Sequence, residues 1–359
     1  MTQSKQKLTI GLTAVGAICI AAFAFRGCTR AEQPNTGKGA AIAPPPAPEP
    51  TPADSARKGQ IYYHRDAGLA KILPGEGLIT NLPDVPLPDS QNYQIQSDRL
   101  SPDATRMAFG QAVIRKTDNG FSSFPPDAIY VRTIATTDPA ELLAKSEGTE
   151  MHNFLWSPDG KKVAFTSWKA PDGNRNWVVD TTTKEVHEMK LPRYKEHSMT
   201  LAAWSPDGKW FAVADHEGLL YLITMDMTGP IWKWSGRQRL TREQESILGG
   251  TCSFSPDGRS VIFTVLHGDQ GMSLQMAEVD GGAERALVAA GSFSDIYGCW
   301  SPDGQRVAYS AAHLDSSGKR AGRSGIYVVG VDGNGEQPTT VLEEVHPPEI
   351  IRLRLIDWR

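Results

Sequence analysis

This 359-residue sequence has little cysteine and no excess of basic residues: it contains four cysteines and carries a formal net charge of −4. Only Cys252 and Cys299 lie in the part of the chain that is predicted to fold. They precede equivalent aromatic positions of a repeated motif by two residues and by one, so on equivalent strands they point to opposite faces. We therefore expect no disulfide between them. The absence of a basic excess argues against nucleic acid as a partner.

Motifs of the common enzyme classes are also missing. The sequence has no H-E-x-x-H metal motif, no phosphate-binding Walker loop, no G-x-S-x-G elbow and no C-x-x-C pair. We therefore predict that the protein is not an enzyme and that it has no cofactor and no metal site.

The N-terminal segment is predicted to be a hydrophobic signal or anchor helix. Lys5 and Lys7 precede an uncharged, largely apolar run at residues 8–25, which ends at Arg26. This order is typical of an export signal or a marginal membrane span. For residues 1–28 three alternatives stay open, namely an uncleaved anchor, a cleaved signal peptide and a lipoprotein that is lipidated at Cys28. In each case the remainder is exported to the periplasm or cell envelope, and the membrane is contacted through residues 8–25 or the lipidated cysteine.

Proline and alanine dominate the next segment, residues 29–58, which contains the run PPPAPEPTPA. The segment has no apolar periodicity, and this composition is typical of a semi-extended linker.

One motif then recurs five times. The copies are LSPDATRMAF at 100–109, WSPDGKKVAF at 156–165, WSPDGKWFAV at 204–213, FSPDGRSVIF at 254–263 and WSPDGQRVAY at 300–309. Their serines are 46–56 residues apart. In each copy a short apolar strand precedes S-P-D-G and further strands follow. Four short strands at this spacing predict the blade of a β-propeller.

The S-P-D-G tetrapeptide is predicted to be a tight turn between the first and second strands of a blade. Proline fixes φ near −65°, and glycine accepts a positive φ. Ala104 replaces this glycine in the first copy, where we expect strain. The aspartates are predicted to be structural turn residues: Asp103, Asp159, Asp207, Asp257 and Asp303. The aromatic side chains before the turns, with one more near the C-terminus, are predicted to be wedges between blades: Trp156, Trp204, Phe254, Trp300 and Trp358.

These repeats resemble the TolB-like, or PD40, family of WD40-like propeller repeats, and the resemblance covers about residues 59–359. It implies an all-β propeller. The chain ends in RLRLIDWR, which places Trp358 where the aromatic residue of a sixth copy would fall. Residues 60–65 and 69–73 resemble the third and fourth strands of a blade that lacks its first. We therefore predict a six-bladed propeller closed by strands from both termini, with the C-terminal strand innermost, which leaves no open edge.

The face opposite the S-P-D-G turns is the predicted partner-binding surface. Here we expect the loops between second and third strands and the connections between blades. Several of these segments are long, with 74–96 the longest, and the best candidates for binding are the loops at 116–128, 169–176 and 313–325. Long loops on a rigid scaffold are a common place for binding. The candidate residues of this long-loop face are His152, Trp168, His197, His216, His267, His313, Lys319, Arg320 and Arg323.

The sequence thus predicts a non-catalytic propeller of the cell envelope that binds a protein or peptide through its long-loop face. The alternative is a carbohydrate-active propeller, which binds glycan or acts as a metal-dependent, lyase-like enzyme on polyuronides, because several histidines on one face are potential metal ligands.

Overall fold

A computed structural model describes residues 59–359. Short segments within this range are not described: 66–67, 77, 84–92, 118–119, 125, 147–148, 170–172, 195–196, 242–245, 282–283, 333–337 and 347–352. Residues 1–58 lie outside the described residues, so the predicted signal or anchor (1–28) and linker (29–58) stay predictions.

The described residues form an all-β domain. The strands in its first half are β1 (Ile61–Arg65), β2 (Gly68–Ile72), β3 (Ile79–Asn81), β4 (Tyr93–Leu100), β5 (Arg106–Thr117), β6 (Gly120–Phe124), β7 (Ala128–Thr133), β8 (Glu141–Lys145), β9 (Glu150–Trp156), β10 (Lys162–Lys169), β11 (Gly173–Asp180), β12 (Val186–Lys190), β13 (Arg193–Tyr194) and β14 (His197–Ser198).

The second half continues with β15 (Thr200–Trp204), β16 (Trp210–Ala214), β17 (Leu220–Asp226), β18 (Ile231–Arg239), β19 (Ser246–Ile247), β20 (Ser253–Phe254), β21 (Ser260–Leu266), β22 (Met272–Glu278), β23 (Glu284–Val288), β24 (Phe293–Trp300), β25 (Arg306–Leu314), β26 (Arg320–Gly330), β27 (Thr339–Val345) and β28 (Leu353–Trp358). Two short 3-10 helices, Gly249–Thr251 and Gly268–Gln270, lie beside β20 and before β22.

The strands form units of four, each an antiparallel meander. In one unit β24 pairs with β25, β25 with β26 and β26 with β27. The units β4-β5-β7-β8, β9–β12 and β15–β18 follow the same order. In the remaining unit of this kind, β19 and β20 both pair with β21, and β22 and β23 follow. The second strands are apolar because neighbouring layers cover both of their faces: all five residues of β16, WFAVA, are buried.

The prediction that the segments 116–128, 169–176 and 313–325 are long loops is wrong, because strands extend into all three of them. In the segment 169–176, β10 pairs with β11 in unbroken register out to Lys169 and Gly173. Likewise β5 and β6 pair out to Thr117 and Gly120, and a turn at 315–318 joins β25 to β26. Strand pairing satisfies the backbone groups that a loop would leave to water. These segments are therefore projecting hairpins.

Two units are joined edge to edge. The outer strands β12 and β18 pair in parallel, with Met189 opposite Trp232, so the units β9–β12 and β15–β18 form one eight-stranded sheet. This pairing covers two outer edges that would otherwise be exposed.

Strands from both ends of the described chain share a sheet. Its order is β28-β1-β2-β3, so the C-terminal strand is first and pairs antiparallel with β1. Gln60 and Arg359 exchange two main-chain hydrogen bonds of 2.5 and 2.9 Å. The predicted strand order needs one correction: β1 and β2 are the second and third strands of this unit, and β3 is the fourth. Three strands of the closing unit therefore come from the N-terminal end of the domain, and a single strand comes from the C-terminal end.

Apolar clusters lie between successive units. For example, Ile61 and Leu355 of the closing unit pack with Ala308 and Ile326 of the preceding unit. On the other side of the closing unit, Tyr62 and Ile356 pack with Met107 of β5. Four further clusters join the intervening pairs of neighbouring units. Each fully buried large apolar side chain contributes about 1.5–3 kcal/mol, so the packing between units is the main source of stability.

Candidate functional site

Each S-P-D-G segment is a hydrogen-bonded turn centred on its aspartate. Ser157 Oγ donates to Asp159 Oδ1 at 2.6 Å, and Lys161 N donates to the same oxygen at 3.0 Å. The main-chain N–H of Lys162 donates to Ser157 Oγ at 2.8 Å, which closes the turn. The other four copies repeat the serine–aspartate bond at 2.5–2.6 Å. The contacts of these five carboxylates are thus local, within their own turns.

The last position of the turn has a positive φ in every copy. The glycines have φ between 67° and 77°, and Ala104 has φ 54°. An alanine in this left-handed region is strained by about 1 kcal/mol, because its Cβ approaches the backbone.

The aromatic residues before the turns lie in the clusters between units. Trp156, Phe254, Trp300 and Trp358 are buried, and Trp204 is half-buried. The indole N–H of Trp156 donates to Arg99 O of the preceding unit at 3.0 Å, and that of Trp300 donates to Ser253 O at 3.1 Å. Trp204 differs, because its indole N–H donates to Gly208 O of its own turn.

The centre of the domain contains a cavity of about 910 Å³. Its wall is built from first strands, and its mouth carries the five prolines of the S-P-D-G turns: Pro102, Pro158, Pro206, Pro256 and Pro302. All five predicted wedge residues contribute to the wall. The cavity therefore reaches the end of the domain that carries the S-P-D-G turns, which we call the turn face.

Side chains from several units meet deep in this cavity. Arg99, in β4, donates to Gly250 O, which belongs to a unit three positions further along the chain. A Cβ on Gly250 would lie 3.0 Å from Asn153 Oδ1 of β9, so Asn153 reaches the same point. Asn153 has φ 56°, a left-handed conformation that asparagine tolerates better than most residues. Arg99 and Gly250 both line the cavity, and we call this pair its floor.

A buried charged cluster lies beside the floor. Asp98 is fully buried, and its carboxylate pairs with Arg354 through one oxygen and with His64 Nε2 through the other, at 2.8 Å. Burial acts to raise the pKa of Asp98, but Arg354 and His64 hold it well below its ordinary value. The Asp98 carboxylate is consequently fixed in its charged form.

Sequence reasoning missed Asp98, Arg99, His64 and Arg354. A signal was present in the first copy of the repeat, where the dipeptide Asp98-Arg99 occupies the positions that hold Phe154-Leu155 and Ala202-Ala203 in later copies. Charged residues at positions that are apolar in the other copies indicate a charged or hydrogen-bonding partner within the protein, because an unpaired buried charge is costly.

The candidate residues of the long-loop face are spread over several units and do not converge. Trp168 is the second-last residue of β10 and is 42% exposed. His216 forms a contact of 3.9 Å with Glu217, and His267 Nε2 lies 2.8 Å from Ser273 Oγ. Lys319 lies in the turn before β26, and the side chain of His197 lies outside what the structure describes.

His152, a predicted residue of the long-loop face, does not lie in a loop or in a connection between blades. The residue lies inside β9, where it pairs with Thr166 of β10, and burial lowers its pKa to about 4. His152 is therefore neutral at physiological pH, and it is part of a strand.

A local network surrounds His313. Its Nε2 lies 2.6 Å from Tyr327 Oη, which donates to Glu343 at 2.8 Å, and its Nδ1 lies 3.2 Å from an Arg323 nitrogen. Arg320 pairs with Asp295 through two hydrogen bonds of 3.0 Å. Three of the predicted face residues thus already have protein partners on this unit.

Among the described residues, no group of three or more His, Cys, Asp or Glu side chains is placed to hold a metal ion. In the same part of the chain, no helix is both long and apolar enough to cross a membrane. Cys252 and Cys299 are free thiols, as expected.

No protein-family model and no curated protein sequence matches the chain. Among solved structures, TolB from Acinetobacter baumannii matches with a TM-score of 0.57 at 19% identity, over 84% of this chain and 66% of that one. A TolB candidate from Agrobacterium tumefaciens matches with a TM-score of 0.55 at 15% identity, over 83% and 98%. A chain of the nidogen/laminin complex matches with a TM-score of 0.50 at 10% identity, over 84% and 97%. This chain thus spans slightly less than two thirds of the Acinetobacter protein.

Enzymes are also found among the matching structures, and they correct the prediction that this protein is not an enzyme. A prolyl endopeptidase and a puromycin hydrolase each match with a TM-score of 0.47, at 16% and 17% identity. The prediction was wrong to treat the missing motifs as a reason against catalysis, and such distant likenesses assign no activity to this chain. What the matches to the two TolB structures establish is the architecture: the chain has the fold of the TolB-like β-propellers.

Proposed function

We propose that this protein is an exported propeller of the cell envelope that holds a protein partner by an extended segment inserted into the central cavity. The observation that carries the proposal is the cavity of about 910 Å³, which reaches the turn face and is lined by several units. This volume lies in the range of sites that enclose a ligand.

The proposed architecture is a ring of six blades. In support, four-stranded units recur along the chain, β28 joins the first of them, and apolar clusters connect each unit to the next. Closure by one strand from the far end of the chain keeps the walls of the cavity in place when a partner binds.

The envelope location rests on the apolar run at 8–25 and on the fold shared with the TolB structures. Binding of a protein partner is supported by the matching chain from the nidogen/laminin complex, whose structure is that of a protein complex.

An extended peptide fits the cavity better than a compact globular surface does. The mouth is a circle of prolines around a depression, so a flat partner would contact only the rim. A protruding segment can reach the first strands and the floor. The long-loop face stays a second predicted surface, because Trp168 is 42% exposed on a projecting hairpin.

Site-specific photocrosslinking in the full chain tests the proposal. A photoreactive residue at Ser253, in the cavity wall, should crosslink a partner in intact cell envelopes, and one at Trp168 should not. Ser253→Trp should block capture by filling the cavity, whereas Met227→Trp, at an exposed position, should leave it unchanged. Capture from Trp168 alone, with Ser253→Trp still active, would place the site on the long-loop face and overturn the proposal.

A further inference from the structure

Arg99 brings a positive charge to the floor of the central cavity. Its side chain donates hydrogen bonds to two main-chain carbonyl oxygens, those of Asp98 at 3.0 Å and of Gly250. Carbonyl oxygens orient a guanidinium group, but they do not neutralise its charge.

Three carboxylates in or beside the cavity have other partners. Asp98 pairs with Arg354 and His64. Asp357, which lines the cavity, pairs with Arg359 at 2.7 Å. Asp103, at the mouth, accepts hydrogen bonds from Ser101 and Thr105 within its own turn. The charge of Arg99 is thus left without a carboxylate partner among the described residues.

Two buried thiols and a tyrosine lie near Arg99. Cys252, Cys299 and Tyr297 line the same cavity. Burial raises the pKa of Cys252 to about 12 and that of Cys299 well above its ordinary value, while the charge of Arg99 acts in the opposite direction on both thiols. Since the two thiols belong to different units, the guanidinium group acts across the centre of the ring. Coulombic interactions are stronger in such a site than in water.

We propose that the segment held in the cavity carries a carboxylate, which pairs with Arg99 at the floor. The inference rests on the proposed function and adds the chemistry of the ligand. Arginine suits this role, because its planar group can bind a carboxylate with two parallel hydrogen bonds while its other N–H groups stay on the protein. The carboxylate is that of an acidic side chain or of a free C-terminus.

The test uses arrays of random octapeptides probed with the full-length chain. One array has amidated C-termini and the other has free C-termini. Captured peptides should contain Asp or Glu in the first array, or end in a free carboxylate in the second. Replacement of the acidic residue by its amide, or amidation of the C-terminus, should weaken binding about 10- to 100-fold, the loss expected for a charge-assisted hydrogen bond.

Two variants of Arg99 distinguish an effect of its charge on peptide binding from an effect on folding. Arg99→Gln should lose the preference for acidic peptides, and Arg99→Lys, which keeps the charge, should retain part of it. Arg359→Gln is the matched control, because it removes the other cation of the cavity, which is already paired with Asp357. Melting curves establish that each variant is folded.

The outcomes distinguish the two proposals. Capture of peptides without a carboxylate, or equal binding of acidic peptides by Arg99→Gln, would overturn the inference and leave the proposed function standing. If the wild-type chain captures no peptide at all, both are overturned. Acidic peptides that bind more weakly as salt concentration rises, while neutral variants do not change, support the ion pair.

Discussion

His64 and Asp98 join the closing unit to its neighbour through a contact of 2.8 Å between Nε2 and Oδ2. His64 lies in β1, and the other oxygen of Asp98 pairs with Arg354 in β28. One carboxylate of β4 thereby holds strands from both ends of the domain. The second ring nitrogen of His64 lies 3.3 Å from Gly68 O, so both ring nitrogens face oxygen atoms of the protein.

The first prediction concerns Asp98. Asp98→Asn should lower the free energy of unfolding by about 3–5 kcal/mol, because it removes the negative charge of a buried ion pair and leaves Arg354 facing a neutral amide. Chemical denaturation at pH 7 measures the loss. Asp138→Asn, at an exposed position, is the control and should stay within about 0.5 kcal/mol of the wild type.

The pH dependence of stability follows from the same carboxylate. Arg354 and His64 lower the pKa of folded Asp98, so its contribution is complete above the ordinary value of 3.8 and disappears as pH falls below it. The wild type should therefore lose stability steeply below about pH 4, and Asp98→Asn should lose less over the same range. Parallel curves for the two proteins would show that Asp98 does not control acid unfolding.

The second prediction concerns the strained turn at Ala104. Ala104→Gly should raise the free energy of unfolding by about 0.5–1 kcal/mol, because glycine adopts φ 54° without a Cβ clash. Gly304→Ala, at the matching position of the last copy with φ 67°, should lower it by about 1 kcal/mol. Thermal denaturation of both variants gives the comparison. Changes of the same sign would mean that local strain is not the cause.

The architecture was predictable where the repeat is explicit. Four S-P-D-G motifs and one S-P-D-A motif in register indicated the four-stranded unit, and Trp358 indicated a strand from the C-terminus. The positions of β1 and β2 within their sheet could not be predicted, since the sequence of a short apolar strand does not indicate its place in a sheet. The hairpins were missed for a related reason: polar residues such as those of 173–176 pair as strands once a neighbouring strand offers partners.

The floor of the cavity could not be predicted from the sequence, because its residues are far apart along the chain. Arg99 and Gly250 are 151 residues apart, and Arg354 and Asp98 are 256 residues apart. No local pattern links such positions. Only the departure of Asp98-Arg99 from the apolar pattern of the other copies marks the place.

The third prediction concerns His152. Burial lowers its pKa to about 4 from the ordinary 6.5, so folding favours the neutral ring and stability decreases as pH falls from about 6.5 to 4. His152→Gln should remove about 1–3 kcal/mol of this pH dependence. Denaturation curves at pH 7 and pH 4.5 measure the effect, with His216→Gln as the control. An unchanged difference between the two pH values would show that His152 is accessible to solvent.

The last prediction concerns closure by β28. Trp358 is 2% exposed, its indole N–H donates to Gly59 O at 2.9 Å, and the Arg306 guanidinium lies 5.2 Å from its ring centre. Trp358→Ala should therefore cost about 3–5 kcal/mol, since it leaves a cavity where three chain segments meet. Trp234→Ala removes a side chain that is 44% exposed and should cost far less. Deletion of residues 353–359 should have a larger effect than Trp358→Ala, because it also opens the edge of β1 to aggregation. An unchanged melting temperature after the deletion, with the protein still monomeric, would mean that the domain does not depend on this strand for closure.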